Sequence, residues 1–257
     1  MTAKVITCGI QKGGVGKSTT SGILAYLMAK EGNKVLVVDM DSQGNVTDLI
    51  TQKDLEFFED RTILQAFENG SAEPFIYKAH ENIDVLPSDD YLAYFPRWLY
   101  LDRKRKINLA LDDLLEPLKQ DYDYIVIDTP PSLGDQMTNA ICASDQVIVM
   151  FESQKWAYTA IKRFIKTVLW AQEKVNPAIN IAGILRVLND ARRTDSNAFI
   201  QAVDEKYGDL VFDTVIKRRA NIGRMPLYGL FDNKEAPKAV KEYKKFYKEL
   251  KQRMEVK

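Results

Sequence analysis

The chain is predicted to fold as an α/β protein with one doubly wound, mostly parallel sheet and helices on both faces. Short runs rich in Val and Ile alternate with segments whose apolar residues recur at helical spacing. The strand runs lack polar alternation, which is typical of parallel strands covered on both faces. A glycine-rich stretch at 12–19, KGGVGKST, joins the first predicted strand to the first predicted helix.

The elements follow one another along the chain without repeats or low-complexity linkers. Apolar runs predict strands at 4–9 (KVITCG), 34–39 (KVLVVD), 83–87 (IDVLP), 124–128 (YIVID), 146–151 (QVIVMF) and 181–187 (IAGILRV), with 211–216 as a candidate edge strand. Helical periodicity predicts helices at about 18–30, 103–119, 156–175, 195–207 and 236–253. In such a fold, ligands bind at the C-terminal ends of the strands.

The composition is that of a globular enzyme. With 257 residues and 46% hydrophobic residues, the chain can bury a large core as one domain. It contains no apolar stretch of transmembrane length and no recognisable signal peptide. Cys8 and Cys142 are far apart and accompany a single histidine, His80, so neither a zinc site nor a disulfide framework is indicated. We expect two core thiols in a reducing cytoplasm.

The glycine-rich stretch predicts a phosphate site. Gly16-Lys17-Ser18 ends like a phosphate-binding loop, but the strict pattern requires a glycine where this chain has Gln11. Backbone N–H groups of the loop and the positive end of the following helix favour bound phosphate. Lys17 is expected to reach the β- and γ-phosphates, and the Ser18 hydroxyl to bind Mg²⁺.

A second lysine distinguishes this loop. Lys12 precedes the glycine pair Gly13-Gly14, and it implies a further phosphate contact. The loop resembles the deviant Walker A loop of the ParA/MinD family of dimeric P-loop ATPases. The resemblance implies that ATP is held by the whole loop: Lys12, Gly13, Gly14, Val15, Gly16, Lys17, Ser18 and Thr19. It also implies that Lys12 reaches the nucleotide of a second subunit and that Lys12 and Lys17 take part in catalysis.

Two clusters of carboxylates follow predicted strands. Asp39 and Asp41 lie in the sequence DMDSQGN after the second strand, and Asp128 begins DTPPS after the fourth. Carboxylates at strand ends near a phosphate loop are suited to Mg²⁺ and to an attacking water. By the resemblance, Asp41 orients or activates that water, Asp39 supports the Mg²⁺ shell, and Asp128 holds Mg²⁺ through water.

The resemblance extends along nearly the whole chain and is strongest to the plasmid and chromosome partition ATPases of the ParA/Soj type. It is carried by QKGGVGKST, VDMDSQGN, YDYIVIDTPPSLG and LNDARRTDSN. Because the first predicted strand begins at residue 4, we expect residues 1–257 to form a single P-loop ATPase domain without an N-terminal helix-turn-helix domain. DNA binding is then expected to be non-specific, through phosphates.

The net charge of zero conceals an asymmetry between the halves of the chain. Residues 1–150 hold 14 Lys and Arg against 23 Asp and Glu, whereas residues 151–257 hold 22 against 13. This distribution predicts a polyanion-binding surface in the second half. The candidate DNA contacts are Arg192, Arg193, Lys217, Arg218, Arg219 and Arg224. Lys217 and Arg218 lie where relatives contact adenine, so they could serve either task.

The function expected from the resemblance is an ATP-dependent DNA partition ATPase in the bacterial cytoplasm, associated with the nucleoid. Two subunits would form a homodimer around ATP and Mg²⁺, and a ParB-like, centromere-binding adaptor would stimulate slow hydrolysis. The main alternative is a MinD-like, membrane-associated ATPase, but the apolar stripe of the last predicted helix has the spacing of a packed helix. A metabolic enzyme on the same fold and a binding module without hydrolysis also remain open.

Overall fold

The computed structural model describes residues 2–152, 155–189, 194–217, 220–231, 233 and 236–255. The strands are β1 (Lys4–Gly9), β2 (Val35–Asp39), β3 (Tyr77–His80), β4 (Ile83–Leu86), β5 (Tyr124–Asp128), β6 (Gln146–Glu152), β7 (Asn180–Asn189) and β8 (Val211–Lys217). In this part of the chain they form one eight-stranded sheet in the order β3-β4-β2-β5-β1-β6-β7-β8. Every neighbouring pair is parallel except β3 and β4. The predicted fold class is confirmed.

Helices cover both faces of the sheet. They are α1 (Lys17–Lys30), α2 (Asn45–Thr51), α3 (Ile63–Asn69), α4 (Phe95–Trp98), α5 (Ala110–Leu115), α6 (Asp135–Cys142), α7 (Lys155–Lys174), α8 (Thr194–Tyr207), α9 (Ala220–Gly223), α10 (Met225–Tyr228), α11 (Ala236–Ala239) and α12 (Lys241–Glu255). Short 3₁₀ segments lie at Leu55–Phe58, Glu73–Phe75, Asp90–Tyr94, Ile107–Leu109, Glu116–Leu118 and Gly208–Leu210, and a π-helical turn lies at Leu99–Arg103.

The central strands are buried on both faces, as their sequences predict. In β2, Val35 and Val37 pack into one hydrophobic core, whereas Leu36 and Val38 pack into the other. Successive side chains of a strand point to opposite faces, so one apolar run supplies both layers. In β2 and β5 the carboxylates Asp39 and Asp128 come at the last residue of the strand, and these two strand ends lie side by side.

The sequence-based strand prediction is accurate to two residues at each end for the seven predicted strands, but it missed β3. β3 has the sequence YKAH, and alternate residues are exposed. It pairs antiparallel with β4 at the edge of the sheet. A short, half-polar edge strand does not need a run of apolar residues, so it lacked the signal that identified the others.

The helix predicted at 103–119 is wrong over its first part. Lys104 and Lys106 adopt left-handed backbone conformations, with φ of 62° and 47°. These conformations end the π-helical turn and delay the regular helix until Ala110. The helix α5 then gives way to the 3₁₀ turn Glu116–Leu118, since Pro117 lacks the N–H that α5 would need to continue. The helix predicted at 236–253 is likewise interrupted, at Val240, between α11 and α12.

The last helix packs its apolar stripe against the sheet, as the spacing predicted. Tyr243, Phe246, Tyr247 and Leu250 of α12 are all buried. Within the described residues, no helix combines the length and apolar character needed to cross a bilayer.

Candidate nucleotide site

The phosphate loop connects β1 to α1 at the centre of the sheet. Gly14 and Gly16 have φ of 72° and 76°, a conformation that side chains other than glycine adopt with strain. A Cβ atom added at either glycine would lie more than 4 Å from every atom that it could meet in the described part of the chain, so the backbone borders open space there. Gly16 also precedes the first turn of α1, whose free N–H groups attract anions. The loop therefore forms an open, positively polarised cradle.

Lys17 lies at the base of this cradle. Its side chain is largely buried, and Nζ donates a hydrogen bond of 3.0 Å to the carbonyl oxygen of Lys12. Burial lowers the pKa of Lys17, although the charges of Asp128 and Asp41 oppose that effect. A buried ammonium with a loop carbonyl as a hydrogen-bond partner is ready to exchange that carbonyl for a phosphate oxygen.

Asp39 is held by the segment that follows it. Its Oδ1 atom accepts the N–H of Asp41 at 3.0 Å, and its Oδ2 atom accepts the N–H and the hydroxyl of Thr47 at 3.1 and 2.8 Å. The Thr47 hydroxyl in turn accepts the N–H of Ser88 at 3.2 Å, after the end of β4. Asp39 thus ties β2 to the start of α2 and to the neighbouring strand.

Asp128 lies opposite Asp39, in register on the adjacent strand β5. Its Oδ1 atom accepts the Ser21 hydroxyl at 3.0 Å, whereas its buried Oδ2 atom has no hydrogen-bond partner among the described residues. Burial, followed by the charge of Asp128, raises the pKa of Asp39 to about 8. The pKa of Asp128 is raised to about 6, and burial is again the largest cause. Two adjacent, fully buried carboxyl groups, one of them with an oxygen that lacks a donor, favour the arrival of positive charge.

These residues fit Mg²⁺ as it is bound beside a nucleotide. In the described part of the chain, no group of three or more His, Cys, Asp or Glu side chains is arranged to hold a metal ion. Mg²⁺ does not need such a cluster, because it keeps several waters and takes one or two carboxylates together with substrate phosphates. The free oxygen of Asp128, close to the start of α1, is suited to that role.

A cavity of about 500 Å³ brings most of the predicted nucleotide residues together. The predicted residues that line it are Gly13, Gly14, Gly16, Lys17, Ser18, Thr19 and Asp41. Val15 is fully buried and does not line the cavity. Asp39 and Asp128 are also fully buried, at the strand ends. The charge of Asp128 acts on Lys17, which lines the cavity.

The predicted adenine and DNA contacts are not brought together in the same way. Lys217 ends β8 with an exposed side chain and does not line the cavity, and Arg224 is exposed beside α10. The remaining predicted contacts, Arg192, Arg193, Arg218 and Arg219, lie outside the described residues.

Lys12 has a contact that the sequence did not indicate. Its ammonium group forms an ion pair with the carboxylate of Glu152, at the end of β6. Both side chains are about one-fifth exposed. β6 lies next to β1 in the sheet, so the end of β6 reaches the beginning of the phosphate loop. Within one subunit, the ammonium of Lys12 is therefore paired with a carboxylate.

Sequence reasoning also missed residues that complete the site. Ser21 lies one helical turn after Ser18, on the face of α1 that reaches Asp128. Thr47 follows Asp39 by eight residues, a separation that gave no local signal. Asn45, Asp48 and Leu49 of α2 and Ile222 and Gly223 of α9 line the cavity. The spacing of Ser21 could have been found from helix periodicity, whereas the residues of α9 depend on tertiary structure.

Comparisons with known proteins agree with this geometry. A family model described as an AAA domain matches residues 3–181. The sporulation initiation inhibitor protein Soj of Bacillus subtilis is 36% identical over 230 residues, which cover 88% of this chain and 88% of Soj. The chain belongs to the ParA/Soj family of partition ATPases. The sequence-based assignment to this family is therefore confirmed.

Solved structures extend the similarity to the whole fold of this family member. A putative plasmid partition protein from Borrelia burgdorferi B31, solved bound to AMPPNP, is 31% identical, with a TM-score of 0.78 and 98% of each chain covered. Cobyrinic acid a,c-diamide synthase from Mycobacterium smegmatis, solved with an ATP analogue and magnesium, is 28% identical, with a TM-score of 0.78, 87% of this chain and 91% of the synthase covered.

The buried charge of Asp128 leads to a prediction about the ligand-free protein. Because the folded-state pKa is raised, ionisation costs stability as the pH rises from the unfolded value, near 3.9, through about 6. Asp128→Asn should therefore raise the free energy of unfolding at about pH 8 by roughly 0.5–2 kcal/mol, and by less at about pH 5. Urea unfolding without nucleotide at both values measures this difference.

Asp121→Asn is the matched control, since it removes the same charge from an exposed position. It should change stability by less than about 0.5 kcal/mol at either pH. An Asp128→Asn variant that is equally or less stable than the parent at about pH 8 would contradict the buried-charge interpretation.

Proposed function

We propose that this protein is a Mg²⁺-dependent ATPase that dimerises on binding ATP and segregates DNA, hydrolysing ATP slowly to ADP and phosphate. The observation that carries the proposal is the single cavity in which the phosphate loop, Lys17 and Asp41 meet, beside the buried carboxylates of Asp39 and Asp128. Family membership adds support, as do related structures solved with an ATP analogue, one of them with magnesium.

Binding of ATP would use the loop from Lys12 to Thr19. The backbone N–H groups around Gly14 and Gly16 would surround the phosphates, and Lys17 would exchange its bond to the Lys12 carbonyl for the β- and γ-phosphates. Ser18 and Asp128 would hold Mg²⁺, with Asp39 supporting them; the ion supplies positive charge that neutralises the β- and γ-phosphates. Lys217 and Arg218 are proposed to contact the adenine.

Asp41 is proposed to orient the attacking water. It lines the cavity, and its Oδ1 atom accepts the N–H of Gln43 at 3.2 Å, which fixes the carboxylate at the start of the segment. Its backbone N–H is in turn held by Asp39. A carboxylate fixed in this way can accept a proton from water or align it without first reorganising.

Dimerisation would give Lys12 a second partner. In the ATP-bound homodimer, each Lys12 would reach across to the nucleotide of the other subunit and stabilise charge that develops on the γ-phosphate. Because Lys12 is paired with Glu152 within one subunit, this crossing requires an exchange of one anionic partner for another. Formation of the dimer is therefore coupled to the presence of the γ-phosphate.

DNA would bind non-specifically to the ATP-bound dimer through basic residues of the second half of the chain. Arg192, Arg193, Arg218, Arg219 and Arg224 are the proposed contacts, and the net charge of +9 in residues 151–257 supports the assignment. Phosphate contacts release counterions and make binding depend steeply on salt.

A centromere-binding, ParB-like adaptor is proposed to stimulate hydrolysis and release the dimer from DNA. The protein would then be found on the nucleoid in the bacterial cytoplasm. The MinD-like alternative is disfavoured by α12, because Tyr243, Phe246 and Leu250 are buried there and cannot lie on a bilayer.

The variant Lys12→Ala tests whether Lys12 acts on the nucleotide of the other subunit. ATP binding by the monomer should persist because Lys17 and the loop amides remain, but hydrolysis should fall by about 10²-fold or more because charge in the transition state loses a stabilising donor. Nucleotide titration and phosphate release measure the two effects. Glu152→Gln is the control, since it removes the partner of Lys12 within the subunit and keeps the lysine. Equal losses in both variants would assign the effect to the Lys12–Glu152 pair rather than to crossing.

The variant Asp41→Ala should separate dimerisation from ATP hydrolysis. The phosphate contacts of the loop remain, so the variant should accumulate as an ATP-bound dimer that does not hydrolyse. Gly13→Val should remain monomeric, because its side chain would occupy space needed for subunit approach. Among the described residues of one subunit, a Cβ at Gly13 would come within 4 Å of Pro131 alone, at 3.7 Å, so the variant should fold. Light scattering with ATP and Mg²⁺ measures both, and a monomeric Asp41→Ala variant would count against the role of Asp41.

Binding of random-sequence duplex DNA should require ATP and weaken steeply with salt. Each contacting Lys or Arg that is lost should reduce the log–log salt slope by about 1. Arg218→Ala with Arg219→Ala should abolish binding, whereas Lys244→Ala with Lys245→Ala, on the exposed side of α12, should cause a small loss. Equal DNA affinity of the parent and the Arg218/Arg219 variant near 0.1 M salt, where screening acts over roughly 10 Å, would move the DNA surface elsewhere.

A further inference from the structure

The helix α1 carries two buried hydroxyl groups in the turn that follows the phosphate loop. They belong to Thr20 and Ser21, which are both fully buried. The hydroxyl groups of Thr20 and Tyr243 lie 3.2 Å apart, whereas the Ser21 hydroxyl donates a hydrogen bond of 3.0 Å to Oδ1 of Asp128. Two neighbouring residues therefore fix α1 to two different elements, Thr20 to α12 and Ser21 to the end of β5.

Serine is not the residue that the helix itself would favour at position 21. The next residues of α1, Gly22, Ile23 and Leu24, are all buried, and alanine would fill a similar space with a higher helix propensity. A buried hydroxyl group also costs free energy unless it is hydrogen-bonded. The difference between Ser21 and an alanine is thus the hydroxyl group, and this group bonds Asp128.

Asp128 ends β5 between two neighbouring strands. It is in register with Cys8 of β1 on one side and with Asp39 of β2 on the other. This backbone pairing does not fix the carboxylate, because the rotation of an aspartate about its Cβ–Cγ bond is broad and exchanges the two oxygens. The hydroxyl of Ser21, which approaches from α1, supplies a fixed point for Oδ1.

The two buried aspartates differ in how their oxygens are used. Both oxygens of Asp39 accept hydrogen bonds, from the N–H of Asp41 and from the N–H and hydroxyl of Thr47. In Asp128 the bond from Ser21 uses Oδ1, and the buried Oδ2 has no hydrogen-bond partner among the described residues. A carboxylate that is held through one oxygen presents the other oxygen to a cation in a fixed orientation.

We propose that Ser21 is a positioning residue for Mg²⁺, because its hydroxyl holds Oδ1 of Asp128 and thereby keeps Oδ2 available to the ion. This inference rests on the proposed function, in which Ser18 and Asp128 hold Mg²⁺ beside the nucleotide. Ser21 acts through Asp128 and is not itself a ligand of the ion. Hydrogen-bond partners that orient a metal ligand contribute roughly 10- to 100-fold to metal affinity.

The test measures binding of the ATP analogue AMPPNP to the full chain by calorimetry, first in EDTA and then over a range of Mg²⁺ concentrations. In EDTA, the Ser21→Ala variant should bind AMPPNP within about twofold of the parent, because the loop amides and Lys17 remain. The Mg²⁺ concentration that gives half of the maximal strengthening of binding should rise by about tenfold or more. This measurement does not depend on hydrolysis.

A second pair of variants separates the hydroxyl group from the space that it occupies. Ser21→Thr keeps a hydroxyl group, whereas Ser21→Val has a methyl group in its place, so both variants add similar bulk. Ser21→Thr should need less Mg²⁺ than Ser21→Val, and an equal requirement would contradict the proposal. In an Asp128→Asn background, Ser21→Ala should cause no further change in the Mg²⁺ requirement, because Ser21 acts through that carboxylate.

The matched control is Tyr243→Phe, which removes the hydroxyl group paired with the neighbouring Thr20. It should leave the Mg²⁺ requirement within about twofold of the parent. An unchanged Mg²⁺ requirement in Ser21→Ala, an equal rise in Tyr243→Phe, or equal weakening of AMPPNP binding with and without Mg²⁺ would overturn the proposal, since each would leave Ser21 a structural role only. A parent protein whose AMPPNP binding does not respond to Mg²⁺ would instead contradict the proposed Mg²⁺-dependent function, and this inference with it.

Discussion

The nucleotide site depends on the burial of two carboxyl groups at the carboxyl ends of neighbouring strands. Asp39 and Asp128 are paired in register on β2 and β5, and both are fully buried. Thr47 and the N–H of Asp41 satisfy Asp39, but one oxygen of Asp128 remains without a donor among the described residues. The apolar layers on both faces of the sheet hold this arrangement, since they exclude the water that would otherwise solvate the charges. The fold thus maintains a local demand for cations that a bound nucleotide with Mg²⁺ satisfies.

The same alternation of side chains explains why so much of the molecule could be predicted from its sequence. Strands buried on both faces are apolar at most positions, so β1, β2, β5 and β6 were recognisable without any tertiary information. The phosphate loop was recognisable because glycines with positive φ and a lysine at the start of a helix have few other uses. Asp41 and Asp128 could be predicted because each follows one of these strands at the edge where parallel strands end.

The features that could not be predicted are of two kinds. Some depend on contacts between segments that are distant in the sequence, and others depend on backbone conformations that the residue types do not determine. Lys12 and Glu152 are 140 residues apart and meet only because β1 and β6 are neighbours. Ile222 and Gly223 reach the cavity through the placement of α9. The helix predicted across 103–109 failed because two lysines adopt left-handed conformations, although lysine ordinarily favours helices. Two adjoining surface cavities that share Glu59 and Tyr91 bring together residues from 55 to 102 that show no motif in the sequence.

The structure shows that some of the charged residues behind the charge asymmetry between the two halves of the chain are bound to partners within the fold. Part of the positive excess in the second half serves the fold: Arg186 binds Asp204 and the carbonyl oxygen of Phe212, and Arg253 binds the carbonyls of Ala182, Leu210 and Val211. These guanidiniums are not available to a polyanion without loss of their partners. In the first half, by contrast, seven carboxylates line two adjoining cavities, one of them beside α3, and none of the seven forms an ion pair with Lys or Arg within the described residues. The net charge of the second half therefore overestimates the basic surface that it can offer to a polyanion, because two of its arginines are held by partners within the fold.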